Sequence, residues 1–110
     1  MSWFWLAAAA VVVITFIVWR RKTVEQARKL VSDGAALVDV RTPEEFQGGH
    51  IPGAINIPVQ EMAVRWKEIG PTTRAVVLYC RSGARSTVAA QILKQAGYAQ
   101  VLNIGPMSAW

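Results

Sequence analysis

The sequence predicts an α/β domain with a central parallel sheet, preceded by one N-terminal transmembrane helix. Three observations predict it. Short apolar runs at 36–40, 54–57, 75–79 and 101–104 alternate with segments of helical spacing. Those runs are unbroken by polar alternation, as strands buried on both faces are. Residues Trp3 to Trp19 contain no charge at all and are followed at once by Arg20-Arg21-Lys22.

The apolar run reaches about 25 Å as a helix, at the short end for spanning a bilayer. Tryptophans near both ends suit the interfacial aromatic belts, and no polar face exists to mark a globular-core helix. A cleaved signal peptide would want cations before the run and small residues after it. Here the cations follow, and Ala7 to Ala10 lie inside the first half. The cations place the domain on the cytoplasmic side (of the inner membrane, in a bacterium). Residues 1–22 are therefore the anchor with its basic flank, and residues 23–110 the domain. Membrane lipid is an expected partner through residues 3–19.

Thr23-Val24-Glu25-Gln26 reads as a capping box that starts a separate helix, with Arg20 to Lys22 as linker. Val24, Ala27 and Leu30/Val31 form its apolar face, Glu25 and Lys29 an i,i+4 pair, and Asp33-Gly34 its stop. Ala36 to Val40 is a strand. Thr42-Pro43-Glu44-Glu45 starts a short helix, with Thr42 as N-cap, Pro43 at the first position and acid in the first turn. Gly48 to Gly53 is loop, and Ala54 to Ile57 is a strand closed by Pro58. A helix over Gln60 to Glu68 places Met62, Trp66 and Ile69 on one face. Ala75 to Tyr79 is a buried strand. A helix from about Ser86 to Ala96 follows, with Gly97 as its stop, and Val101 to Ile104 is the last strand.

The chain has 110 residues and a net charge of +5. Beyond Lys22, nine Lys and Arg face seven Asp and Glu. The domain is thus only weakly basic, without the stripe that nucleic-acid binding needs. One cysteine, Cys80, excludes an internal disulfide and a cysteine-based metal cluster. One histidine without a second thiol does not make a metal site. Gly48-Gly49 lacks the strand–GxGxxG–helix setting of a dinucleotide site. No cofactor is expected.

Cys80 stands where a parallel strand ends and a helix begins, the position at which open α/β sheets bind ligands. Free N–H groups and the positive end of the helix meet there. Gly83 lets the loop curl so that those groups converge, and Arg81 and Arg85 add positive charge. A free thiol near pKa 8.5 is only about 3% ionised at pH 7; such surroundings lower the pKa by units. Cys80 is the candidate nucleophile. Arg81, Ser82, Gly83, Ala84, Arg85 and Ser86 form the cradle expected to bind an anion or the outer sulfur of a persulfide.

Four stretches in order resemble the rhodanese homology family. They are Leu37-Val38-Asp39-Val40-Arg41; Glu45 through Pro58; Cys80-Arg81-Ser82-Gly83-Ala84-Arg85-Ser86; and Gly97-Tyr98 followed by Val101 and Gly105. The resemblance covers about Thr23 to Trp110. It implies a three-layer α/β/α fold, a persulfide on Cys80, a sulfane donor such as thiosulfate, and cyanide, a small thiol or a protein as acceptor. The spacing Cys80-x4-Arg85 matches the sulfurtransferase loop, one residue shorter than that of related phosphatases. Gly105-Pro106 departs from the family's Gly-Gly, and the last helix is expected to be short. His50 resembles the family's framework histidine. Asp39 and Arg41 are expected to brace the neighbouring loops, and Trp66 and Tyr98 to belong to the core. Two functions fit: a thiosulfate sulfurtransferase, or a non-enzymatic sulfur carrier or docking module at the membrane.

Overall fold

A computed structural model describes residues 2–110; Met1, the first residue of the expected anchor, lies outside the described residues. Four parallel strands form one sheet: β1 (Ala36–Asp39), β2 (Ile55–Asn56), β3 (Val76–Cys80) and β4 (Val101–Pro106), in the order β2-β1-β3-β4. The chain moves outward in one direction from β1 to β2, then returns to the other side of β1 as β3. The carboxyl ends of β1 and β3 therefore flank the topological switch point, where such sheets leave a crevice.

Period-2 alternation assigns the two faces of the sheet. Val38, Val40, Val76, Leu78 and Cys80 point into one core, closed by helix α4 (Ala84–Ala96) and the segment around Met62 and Ile69. Leu37, Val77, Tyr79 and Ile104 point into the other, closed by Ala27, Leu30 and Val31 of helix α1 (Ser2–Ser32) and by Met107 and Trp110. The result is the expected three-layer α/β/α domain. A short helix, α2 (Pro43–Gln47), follows β1 with both halves of a capping box in place: Thr42 Oγ1 accepts from Glu45 N, and the Glu45 carboxylate accepts from Thr42 N.

Three local expectations are corrected. Thr23 caps no helix: α1 runs unbroken through Arg20 to Lys22, and Thr23 Oγ1 donates back to the Trp19 carbonyl at 3.0 Å. An N-cap needs a non-helical residue at its own position, and the residues before Thr23 are already helical. The Glu25–Lys29 pair is not among the ion pairs of the described residues. The helix expected over Gln60 to Glu68 is one α-turn, α3 (Met62–Arg65), between 3-10 turns at Val59–Glu61 and Trp66–Ile69. Pro58 precedes it and Gly70-Pro71 ends it, so the segment is closed at both ends by residues that do not continue a helix.

The Gly105-Pro106 departure is absorbed inside β4. Leu78 pairs with Asn103 and Tyr79 with Gly105, so Ile104 is the extra residue of a bulge. Gly105 sits at φ +78° and its N–H donates to Asn103 Oδ1 at 2.8 Å. Pro106 is tolerated because β4 is an edge strand. The expected short last helix is a single 3-10 turn, Met107–Ala109. Arg28 stacks over the Trp110 ring at 5.0 Å and donates to its main-chain oxygen.

The N-terminal half of α1 leaves the domain. Trp3 to Trp19 pack on nothing in the domain core, and Trp5 is 79% exposed. This helix is long and apolar enough to cross a membrane.

Candidate active site

Strand β3 delivers Cys80 to the carboxyl edge of the sheet with no exposed surface. The chain turns back at Gly83, whose φ is +99°. A side chain is strained at that φ, so glycine is needed for the conformation; a Cβ there would meet the Gly105 Cα at 3.5 Å, an ordinary contact. The turn brings the Gly83 N–H to 2.8 Å from Cys80 Sγ. The Ser86 hydroxyl lies one turn into the loop–helix junction, 3.4 Å from Sγ and 3.1 Å from the Gly83 carbonyl.

These contacts fix the state of the thiol. Burial pushes its pKa up, because a charge in a dry site loses hydration. The Ser86 hydroxyl and the N–H groups of Ser86, Gly83 and Ser82 pull it down more strongly, and the net result lies below the ordinary thiol value. The single Ser86 proton has two acceptors within reach. With it given to the Gly83 carbonyl, Cys80 is the donor of the Sγ–Oγ contact; ionisation turns the hydroxyl toward the sulfur. A titration of thiolate absorbance, with one cysteine in the chain, should therefore give a midpoint below that of a free cysteine. Ser86→Ala should move it upward toward that of a free cysteine. Identical midpoints would remove the hydroxyl from the account.

The other members of the expected cradle divide by position. Ser82 and Gly83 turn N–H groups toward Sγ, Ala84 opens α4, and Arg81 is exposed on the rim. Arg81, Arg41, Glu45, Gly48 and Met107 line a cleft of about 550 Å³ beside the loop. Arg85 does not reach into open space. Its Nη1 and Nη2 donate to the two carboxylate oxygens of Glu45 at 2.6 and 3.0 Å. That ion pair, with the Thr42 N–H behind it, holds the Glu45 carboxyl down to about 2, so it stays ionised through the physiological range. Sequence reasoning missed Glu45 as a member of the site. Its only local signal was the Thr42-x-x-Glu45 capping box, which aims the side chain back along the edge that carries Cys80.

The second support comes from the end of β1. The buried Asp39 carboxylate accepts from Arg41 N, Nε and Nη2 at 2.7 to 3.0 Å. Arg41 Nη2 also donates to the Gly49 carbonyl at 2.7 Å, and Asn56 Nδ2 donates to the carbonyls of Asp39 and Arg41. Tyr79 Oη accepts from Ile51 N, and the His50 ring stacks on Phe46 at 3.6 Å while Nδ1 donates to the Phe46 carbonyl. Asp39, Arg41 and His50 thus brace the 48–53 loop. Trp66 and Tyr98 meet edge to face at 6.0 Å beside the core.

A strand-terminal thiol biased toward thiolate, ringed by N–H donors and flanked by arginines, can act as a nucleophile and can hold a second, anionic sulfur. The sequence model described as "Rhodanese-like domain" matches residues 23–110. A sulfurtransferase of Allochromatium vinosum is 48% identical over 80 residues, covering 72% of this chain and 74% of its own length. The thiosulfate sulfurtransferase PspE of Escherichia coli is 42% identical over 69 residues, covering 62% of this chain and 66% of its own. Among solved structures, a rhodanese with anions from E. coli superposes with a TM-score of 0.67 at 36% identity, over 70% of this chain and 92% of that one.

Proposed function

Since the chain belongs to the rhodanese-like domain family, a family with a sulfur-transfer role, we propose that it is a membrane-anchored thiosulfate sulfurtransferase that works through a persulfide on Cys80. The observation that carries this reading is the Cys80 cradle: a thiol held below its ordinary pKa by Ser86 and by three loop N–H groups. The thiosulfate activity of the E. coli relative supports the choice of donor.

The reaction is a double displacement. Cys80 Sγ attacks the outer sulfur of thiosulfate; a new S–S bond forms, the old one breaks, and its electron pair leaves with sulfite. The persulfide's outer sulfur then occupies the anion cradle. Cyanide or a thiolate attacks that sulfur, the Cys80 S–S bond breaks, and its electron pair returns to Sγ. No external oxidant or reductant is required. Steady-state thiocyanate production from thiosulfate and cyanide tests the enzyme reading. A single round of loading without turnover would instead support the carrier reading.

The Arg85–Glu45 pair makes a specific prediction. Arg85→Ala leaves the Glu45 carboxylate unpaired beside an incoming dianion, so kcat/KM for thiosulfate should fall, by roughly tenfold on the scale of one unscreened charge contact. Glu45→Gln removes the competing carboxylate and should lower KM. Steady-state kinetics on both variants read the two signs, and equal KM values across the set would separate the pair from substrate binding.

Residues 3–19 serve as the anchor, with the domain on the cytoplasmic side. The protein should resist extraction by high salt and carbonate and require detergent. Protease added outside spheroplasts should spare the domain; digestion there, with a cytoplasmic control intact, would reverse the topology.

A further inference from the structure

The direction of α1 fixes which end of the domain meets the membrane. Its carboxyl end leads through Gly34 into the start of β1, and Val24 and Ala27 are buried against the sheet. Moving back along the helix therefore means moving toward the carboxyl edge of the strands, the edge that carries Cys80. From Ala27 to Trp19 is eight residues, about 12 Å of helix. The apolar run ends level with the catalytic loop.

Two grooves mark that level. In one, Phe16, Trp19 and Arg20 face Ser82, Ala84 and Pro106. In the other, on the opposite flank of the helix, Phe16, Arg20 and Arg21 face Ser108 and Ala109. Both have apolar walls; Arg20 lines both and Arg21 the second. Glu25 is the one carboxylate that lines either groove. Glu45, on the same edge, is already matched by Arg85. Arg81 adds an exposed cation to this edge. Apolar walls with arginines in the lining, at the end of an apolar helix, match the glycerol and phosphate region of an anionic phospholipid.

We infer that the catalytic edge of the domain rests on the bilayer surface, with the grooves beside α1 taking anionic phospholipid headgroups, so that Cys80 exchanges sulfur at the membrane interface. The inference rests on residues 3–19 being a membrane span. The opposite edge, at Gln100, then stands off by about 20 Å, the length of β4.

Nitroxide accessibility in the full-length protein tests this. Cys80→Ser removes the native thiol, and Ala10→Cys, Ala84→Cys and Gln100→Cys each supply one labelling site. The proteins are placed in phosphatidylcholine vesicles with or without phosphatidylglycerol and probed with oxygen and with a water-soluble nickel chelate. The label at 10 should show bilayer-depth oxygen access and report the span independently. The label at 84 should be several-fold less accessible to nickel than the label at 100. Phosphatidylglycerol should increase that protection, and Arg20→Gln with Arg21→Gln should remove the increase. A label at 84 as accessible as the one at 100, with 10 still at bilayer depth, would overturn the docked edge and leave the anchor standing. Protection at 84 that ignores both phosphatidylglycerol and the arginines would overturn the headgroup assignment. A label at 10 exposed to nickel would overturn the span and the docked edge with it.

Discussion

Cys80→Ser should reduce thiocyanate production to the uncatalysed background while leaving the fold intact. Serine nearly matches cysteine in shape, and the Gly83 N–H and Ser86 hydroxyl remain to satisfy its oxygen. What is lost is the nucleophile. A serine hydroxyl in this cradle has no base beside it; His50 is occupied at the Phe46 carbonyl and stacked on the Phe46 ring. An alkoxide would also form no persulfide. Loss of a nucleophile costs several orders of magnitude in rate, on the order of 10³-fold or more. A variant with an unchanged melting curve and no turnover is the expected pair of observations. Residual turnover above about a tenth of wild type would assign the chemistry to another group.

Asp39→Ala should be the most destabilising single change in the domain. Asp39 is fully buried and Arg41 is 6% exposed; the Asp39 carboxylate accepts four of the five hydrogen bonds that hold the guanidinium and main-chain N–H of Arg41, the fifth going to the Gly49 carbonyl. Removing it leaves a buried, uncompensated cation, which typically costs about 3–5 kcal/mol. A domain of this size has on the order of 5–10 kcal/mol in total. Denaturant unfolding should show a large drop in midpoint. Asp39→Ala combined with Arg41→Met should recover part of the loss, because the unpaired charge is then gone. A midpoint within about 0.5 kcal/mol of wild type would mean that Arg41 finds water or another partner.

Much of this architecture was written locally. The strand over Ala36 to Val40 is found at Ala36–Asp39, and the one over Ala75 to Tyr79 at Val76–Cys80, because unbroken apolar runs have few alternatives in a short chain. The Cys80 loop was legible for a similar reason. Strand, thiol, glycine and helix start follow one another within seven residues, so their geometry is set by local backbone rules. Thr23 shows the limit of such rules. Its capping box is well formed as a sequence pattern, but the flanking residues favour helix more strongly, and a side chain that could cap turns back on Trp19 instead. The Arg85–Glu45 pair was beyond reach because the partners lie 40 residues apart and meet only when α2 packs beside the loop. The placement of Trp19 and Arg20 across a groove from the loop depends on the path of an unbroken helix, which no short window records.

Whether Cys80 carries sulfur is read by intact-mass measurement after thiosulfate treatment. With one cysteine in the chain, the site of any thiol adduct is fixed in advance. A gain of one sulfur atom is expected, located on the Cys80 peptide, absent in Cys80→Ser and removed by cyanide or dithiothreitol. An unchanged mass under saturating thiosulfate, in protein whose thiol is free and reduced, would contradict it.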